Sequence, residues 1–118
     1  MARLSTHVLD TASGRPAGGL QVQLATVDAA GHATPIATHR TNGDGRTDAP
    51  LLAGDTIPTG RYRLSFAVGD YFRAAGVELP DPPFLDVVHL DFGIAEATGH
   101  YHVPLLVSPW SYGTYRGS

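Results

Sequence analysis

The segment Arg61-Tyr62-Arg63-Leu64-Ser65-Phe66-Ala67-Val68 decides the fold, because a large apolar side chain occupies every second position. Successive side chains of a β-strand point to opposite faces of a sheet, so a period of two predicts a strand with one buried face. The segment Leu20-Gln21-Val22-Gln23-Leu24-Ala25 shows the same alternation. Half-buried strands need a second layer to cover their apolar faces, which predicts two packed sheets.

Turn-forming residues separate the apolar runs along the chain. Fourteen glycines and nine prolines leave little room for a long helix. We predict one short helix within Asp70–Leu79, ended by Pro80, and strands at about residues 4–10, 20–28, 36–41, 46–52, 61–68, 84–92, 100–108 and 110–116. These elements predict an all-β, two-sheet sandwich of about eight strands, and 118 residues fit a single domain over 1–118.

The composition excludes several kinds of chemistry. The chain has no cysteine, which excludes disulfides, thiolate nucleophiles and iron–sulfur clusters. All eight basic residues are arginines, so no lysine is present to form a Schiff base. The net charge of −3 is spread along the chain and offers no basic stripe for nucleic acid. Catalysis therefore has to come from His, Asp, Glu, Arg, Ser or Tyr.

The sequence predicts neither secretion nor membrane insertion. Polar side chains interrupt the first ten residues, and no apolar run approaches the roughly 18 residues of a membrane span. We therefore expect no membrane partner and a cytoplasmic location.

Two histidines of the segment His100–Leu106 are the first candidates for a functional site. Alternation predicts that His100 and His102 face outward, while Tyr101 and Val103 face the core. A His-x-His pair can bind zinc, with His7 as a third ligand, but no acidic residue adjoins the pair. Plain surface histidines are the simpler interpretation, and the residues alone leave both open.

His7 and Arg46 are ambiguous when each is taken alone. A single histidine in a strand is more often structural than catalytic, and an arginine after the turn Thr41-Asn42-Gly43-Asp44-Gly45 is usually solvated. Gly43-Asp44-Gly45 is better explained by turn geometry than by phosphate binding, because no helix follows it.

Several motifs together resemble those of 5-hydroxyisourate hydrolases of the transthyretin-like family. The resemblance covers essentially the whole chain, and the terminal Tyr115-Arg116-Gly117-Ser118 is its most specific element, since this motif separates the hydrolases from transthyretin proper. The other matching motifs are Leu4-Ser5-Thr6-His7-Val8-Leu9-Asp10, Gly14-Arg15-Pro16-Ala17, Thr41-x-x-Asp44-Gly45-Arg46, Gly69-Asp70-Tyr71-Phe72 and His100-Tyr101-His102-Val103-Pro104-Leu105-Leu106. The loops 76–83 and 93–99 depart from the pattern and hold none of the matched functional residues.

The resemblance implies a transthyretin-like sandwich that assembles as a homotetramer, a dimer of dimers. It implies hydrolysis of 5-hydroxyisourate to 2-oxo-4-hydroxy-4-carboxy-5-ureidoimidazoline in urate degradation, with no cofactor and no metal. It also implies two overlapping sets of site residues. The catalytic set is His7, Arg46, His102 and Ser118, and the substrate-binding set is His7, Arg46, Tyr115, Arg116 and Gly117.

Such a hydrolysis needs a base for water, a cation for the developing oxyanion and groups that hold a flat heterocycle. We expect His7 and His102 to share the proton transfers, and Arg46 to bind adjacent carbonyl oxygens. Tyr115 would contact the ring, and Ser118 would offer its hydroxyl and carboxylate. Two rival functions remain, a transthyretin-type protein that binds or transports a small molecule and a histidine-based metal-binding sandwich.

Overall fold

The computed structural model describes all residues from Met1 to Ser118 and contains nine strands and one helix. In chain order the elements are β1 (Ala2–Asp10), β2 (Arg15–Pro16), β3 (Gln21–Val27), β4 (Ala33–Arg40), β5 (Leu52–Gly54), β6 (Gly60–Phe66), α1 (Val68–Ala74), β7 (Val88–Ile94), β8 (His100–Val107) and β9 (Tyr112–Thr114). The all-β class is confirmed. No helix has the length and apolar character needed to cross a membrane.

The strands form two sheets that pack face to face. The first sheet has the order β2-β1-β8-β9, with β5 also paired to β1, and the second has the order β4-β3-β6-β7. In the first sheet β1 and β8 run parallel, whereas their other pairings are antiparallel. This parallel pair brings the two ends of the chain together.

The core lies between the two sheets and is built from the alternation seen in the sequence. Tyr62, Leu64 and Phe66 of β6 are buried, and Arg63 and Ser65 between them are only partly covered. On the first sheet Leu4 and Leu105 are fully buried as well. Each sheet therefore keeps one apolar face inside and one polar face outside.

The predicted strand at 46–52 was largely wrong. Only Leu52 of that range is in a strand, the three-residue β5. The Thr47 hydroxyl donates to the carbonyl of Ala49 at 2.5 Å, and Pro50 has no N–H to give to a ladder. This local turn keeps residues 47–50 out of the sheet, and backbone bonding to β1 resumes with the N–H of Leu51, which donates to the Leu4 carbonyl at 2.8 Å.

The helix begins and ends earlier than predicted. It runs from Val68 to Ala74, and Gly76 follows with a φ of 86°. The N–H of Val77 donates to the carbonyl of Phe72, and that of Gly76 to the carbonyl of Arg73, both at 3.0 Å. These are the two bonds of a Schellman motif, so Gly76 and not Pro80 ends the helix.

Two further strand boundaries were also too wide. The predicted strand 84–92 starts only at Val88, because the preceding loop folds onto the helix, where the Gly69 N–H donates to the Asp86 carbonyl at 2.9 Å. The predicted strand 110–116 is only β9. The hydroxyl of Ser108 accepts the N–H groups of Trp110 and Ser111 and forms a turn there.

Candidate active site

The outer face of the first sheet carries a polar cluster where β1 and β8 lie side by side. The parallel register sets Arg3 opposite His100 and Ser5 opposite His102. His7, one pleat further along β1, is opposite Pro104. Residues two apart in a strand share a face, so Arg3, Ser5 and His7 form one row beside the two histidines of β8.

His102 lies at the centre of this cluster and is half-buried. Its Nδ1 is 2.8 Å from the hydroxyl oxygen of Ser5. Burial lowers the pKa of His102 below the ordinary histidine value, and the nearby positive charges of Arg46, His7 and Arg3 lower it further. The imidazole is therefore neutral at neutral pH, which is the protonation state that a general base needs.

A backbone carbonyl determines which ring nitrogen of His7 carries a hydrogen. Its Nε2 lies 2.9 Å from the carbonyl oxygen of Asp44. A carbonyl oxygen can only accept a hydrogen bond, so Nε2 must carry the hydrogen. In the neutral ring, Nδ1 then holds the lone pair.

A tight turn places Arg46 next to His7. Gly45 has a φ of 75°, and an added Cβ there would overlap the carbonyl oxygen of Val8. The Val8 N–H donates to the Gly45 carbonyl at 2.8 Å, and His7 and Arg46 form an antiparallel bridge. Only glycine permits this approach, so the turn delivers the exposed guanidinium of Arg46 to the edge of the polar cluster.

The C-terminal tail returns to β8 and covers His102. The Gly117 N–H donates to the carbonyl of His102 at 2.8 Å, and an added Cβ on Gly117 would lie 2.5 Å from the ring carbon Cδ2. The guanidinium of Arg116 stacks over the Tyr101 ring, 4.3 Å from its centroid, and donates to the His100 carbonyl at 3.3 Å. These contacts hold Gly117 against the imidazole.

Together these elements enclose a cleft of about 170 Å³. It is lined by Arg3, Ser5, Arg46, His100, Tyr101, His102 and Ser118. A second depression of about 210 Å³ shares Arg3, Ser5 and Arg46 with it and extends over residues 47–50. The lining is almost wholly polar, and such a cleft suits a small polar heterocycle better than an apolar ligand.

The structure brings some of the predicted site residues together and separates others. Arg46, His102 and Ser118 line the cleft, Gly117 packs against His102, and His7 lies beside Arg46. Tyr115 lies elsewhere, in a groove between β7 and β9. Arg116 reaches the Tyr101 ring and the same groove. The roles of all these residues remain predictions.

Four residues of the cleft, Arg3, Ser5, His100 and Tyr101, were not among the predicted site residues. His100 was predicted to face outward and was considered only as half of a His-x-His zinc pair, and Tyr101 was predicted to face the core. The alternation of β1 could have identified Arg3 and Ser5 as outward-facing residues. The residues on its buried face are Ala2, Leu4, Thr6 and Val8, and the residues between them are not buried. That alternation was hard to recognise, because Thr6 is a polar residue on the buried face; its hydroxyl donates to the Val103 carbonyl at 2.7 Å.

The structure gathers no set of metal ligands around the two histidines of β8. No group of three or more His, Cys, Asp or Glu side chains has an arrangement that could hold a metal ion. His100 instead places its Nε2 in hydrogen-bond contact with the Met1 carbonyl.

Comparison with known proteins connects this cleft to a family. The family model described as "HIUase/Transthyretin family" matches residues 4–117. A protein named 5-hydroxyisourate hydrolase from Ralstonia nicotianae is 63% identical over 118 residues, which is 100% of both chains.

Solved structures share the fold. The structure of Klebsiella pneumoniae 5-hydroxyisourate hydrolase is 37% identical, with a TM-score of 0.80 and full coverage of both chains. Sea bream transthyretin in complex with thyroxine is 32% identical, with a TM-score of 0.84, and the match covers 98% of this chain and 94% of that one. An (S)-allantoin synthase structure is 43% identical, with a TM-score of 0.91. That match covers 99% of this chain and 44% of that longer one. The polar cleft, the two-sheet sandwich and these full-length matches show that the chain belongs to the HIUase/transthyretin family.

Proposed function

We propose that this protein is an enzyme that hydrolyses 5-hydroxyisourate, a cyclic amide formed in urate degradation, and that the cleft between β1, β8 and the tail is its active site. One observation carries the proposal: a histidine kept neutral by burial and by neighbouring cations lies in a polar cleft beside an arginine. The named hydrolase from Ralstonia nicotianae, 63% identical along the full length, supports the choice of substrate.

Water attack on the ring carbonyl is the first step that these residues can assist. His102 accepts a proton from water as the new C–O bond forms, and the carbonyl oxygen becomes an oxyanion. His7 is the second group able to move a proton, because its Nδ1 has a lone pair when the ring is neutral. The C–N bond of the ring then breaks, and the proton taken from water returns to the leaving nitrogen.

Arg46 supplies the positive charge for this step. Its guanidinium is charged at every working pH and presents a planar fork of N–H donors, which matches adjacent oxygens of a flat heterocycle. Its position beside His7 puts these donors next to the proton-transfer groups. We assign Arg46 to substrate orientation and oxyanion stabilisation, and Ser118, which lines the same cleft, to contact with the substrate.

A transthyretin-type binding function is the rival, because the sea bream transthyretin structure with thyroxine has the same fold. A large apolar aromatic ligand needs a mostly apolar lining. The cleft here has one hydrophobic residue among the seven that line it, and its neighbour has one among eight. This polarity favours a hydrolase of small polar rings.

We further propose a single domain over residues 1–118, a homotetrameric assembly and a cytoplasmic location. The groove between β7 and β9 supports self-association. It has a volume of about 570 Å³, is lined by Phe92, Tyr112 and Tyr115 among others, and lies between two strands that each end a sheet. Exposed strand edges flanked by aromatic side chains are suited to pairing with a second copy. A subunit contact there would also bring Tyr115 to a neighbouring site.

The test is a spectroscopic assay with freshly generated 5-hydroxyisourate. We expect turnover by the purified protein that is unchanged by a chelator. Arg46→Lys should lower kcat/KM by about tenfold or more, because an ammonium group cannot replace the planar fork. Arg40→Lys is the matched control, since Arg40 binds the Gly19 carbonyl outside the cleft. Absence of turnover, or an Arg46→Lys variant as active as Arg40→Lys, would contradict the proposal.

A further inference from the structure

The hydrogen bond between Ser5 and His102 joins two adjacent strands at the centre of the cleft. Ser5 is the residue of β1 directly opposite His102 in the parallel register, and its hydroxyl oxygen lies 2.8 Å from Nδ1. Both side chains are half-buried and both line the cleft. The contact therefore occupies one ring nitrogen and leaves Nε2 for the reaction.

A serine hydroxyl can bind a neutral imidazole in two ways. It can donate to an unprotonated Nδ1, in which case Nε2 carries the hydrogen and cannot accept a proton. It can instead accept from Nδ1–H, in which case Nε2 holds the lone pair that a general base needs. The choice between these tautomers decides whether His102 is a base or only a donor.

The charges around the ring favour the second arrangement. Arg46 and Arg3 are permanent positive charges near His102, and both line the same cleft as its ring. A lone pair directed into a cationic cleft is attracted to these charges, whereas an N–H dipole in the same place is repelled. With Nδ1 occupied by Ser5, the lone pair on Nε2 is the one that the cleft stabilises.

We propose that Ser5 is a positioning residue that holds His102 as its Nδ1–H tautomer, so that Nε2 is the atom that takes the proton from water. The catalytic consequence of this inference rests on the proposed hydrolysis, whereas the Ser5–His102 contact itself does not. Ser5 itself touches the imidazole and forms no bond to the reacting atoms.

The molecule contains a matched control for this inference. Ser65 on β6 and His89 on β7 form a second pair, with 2.7 Å between the hydroxyl oxygen and Nδ1, on the outer face of the other sheet. Ser65→Ala thus removes a hydroxyl from the same kind of contact without touching the cleft. Ser5→Thr keeps a hydroxyl at position 5 with a side chain suited to a strand.

The first measurement is ¹⁵N NMR of the histidine rings in the unmodified protein at neutral pH. We expect His102 to show a protonated Nδ1 and an unprotonated Nε2. In Ser5→Ala the Nδ1–H tautomer should lose population, and in Ser65→Ala the His102 signals should not change. A wild-type His102 with hydrogen on Nε2 would overturn the proposal, and this result needs no variant to fold.

The second measurement is hydrolysis by the same proteins. Ser5→Ala should lower kcat by about tenfold, the loss that corresponds to one net hydrogen bond, while KM changes by less than about twofold. Ser5→Thr should recover most of the rate, and Ser65→Ala should keep all of it. A Ser5→Ala variant with wild-type kcat, or a loss that appears only in KM, would overturn the proposal.

The two measurements separate this inference from the proposed function. If the protein has the expected tautomer but no hydrolase activity, the proposed substrate is wrong and the role of Ser5 in the tautomer stands. If the protein hydrolyses the substrate while His102 has hydrogen on Nε2, the proposed function stands and the role of Ser5 is wrong.

Discussion

The two serine–histidine pairs of this molecule have nearly the same local geometry and different surroundings. Ser5–His102 on the first sheet and Ser65–His89 on the second each join a hydroxyl to Nδ1 across adjacent strands, at 2.8 and 2.7 Å. His102 is half-buried and His89 is exposed. The pairs themselves therefore do not distinguish a candidate active site from a surface contact.

The difference lies in the charges and in the tail. Around His102 stand Arg46, His7 and Arg3, and Gly117 covers the ring. Near His89 is the carboxylate of Asp91, whose pKa is lowered by the hydrogen bond from Arg63; that ion pair has 2.6 Å between Nε and Oδ1. Cations disfavour protonation of a histidine. The surroundings of the Ser5–His102 pair, and not the pair itself, thus tune its imidazole toward a base.

Removal of the C-terminal tail should have the largest effect on the surroundings that distinguish His102 from His89. A chain lacking Tyr115–Ser118 loses the cover on His102 and one wall of the cleft, so hydrolysis should fall by about a thousandfold or more. The fold should persist, because residues 115–118 contribute nothing to the buried core. Circular dichroism, size-exclusion chromatography and the assay test both statements. A folded truncation with full activity would remove the tail from the site, and unfolding would show that its main role is structural.

Replacement of each histidine compares the two pairs directly. His102→Asn should lower turnover by about a hundredfold or more, since asparagine cannot take a proton. His89→Asn should keep wild-type turnover, because His89 lies outside the cleft, and size-exclusion chromatography checks that the replacement leaves the β7–β9 groove, which His89 also lines, able to form the same assembly. The measurement is kcat/KM for both variants. Equal activity of the two would mean that the environment of His102 has no catalytic purpose.

Two glycines of the C-terminal segment offer a finer test of the cover on His102. Gly117→Ala places a methyl group 2.5 Å from Cδ2 of His102, whereas Gly113→Ala on β9 meets no atom within 4 Å. Neither glycine has a positive φ, so alanine strains neither backbone. We expect Gly117→Ala to lower kcat/KM by about tenfold, because a small displacement at a reacting group is costly, and Gly113→Ala to have no effect. A Gly117→Ala variant with unchanged kinetics would show that the ring tolerates the displacement.

The smallest expected effect is a change in the titration of His102. Burial, then the charges of Arg46, His7 and Arg3, lower its pKa, so the neutral form persists to lower pH than in an ordinary histidine. A rate that needs neutral His102 is complete above this pKa and is lost as the pH falls through it. Arg46→Gln removes one cation and should raise the pKa of His102, so protonation then begins at a higher pH. An NMR titration measures this shift, with His89 as the internal reference. An unchanged or lowered His102 pKa would contradict the electrostatic explanation.

Parts of the fold followed directly from side-chain patterns. Alternation in 20–24 and 61–66 predicted buried and exposed faces that the structure confirms for β3 and β6, whereas Ala25 is buried at a register shift and Val68 begins the helix. The predicted strand 46–52 was wrong because the side chain of Thr47 competes with ladder hydrogen bonds there. The helix end was wrong because Gly76 satisfies the terminal carbonyl groups before Pro80 is reached.

The sequence by itself determined many local properties: the apolar faces of β3 and β6, one short helix near residue 70, and the direction of His102 away from the core. These properties depend on neighbours a few residues apart, so they can be recognised from spacing. Only the tertiary structure decided that Ser5 and His102, 97 positions apart in sequence, are partners, because the parallel register of β1 and β8 sets that contact. It likewise decided that Arg46, Arg3 and Gly117 surround one imidazole and that no similar group surrounds His89. Electric fields and packing depend on distances in space, and no pattern along the chain specifies those distances until the strands have paired.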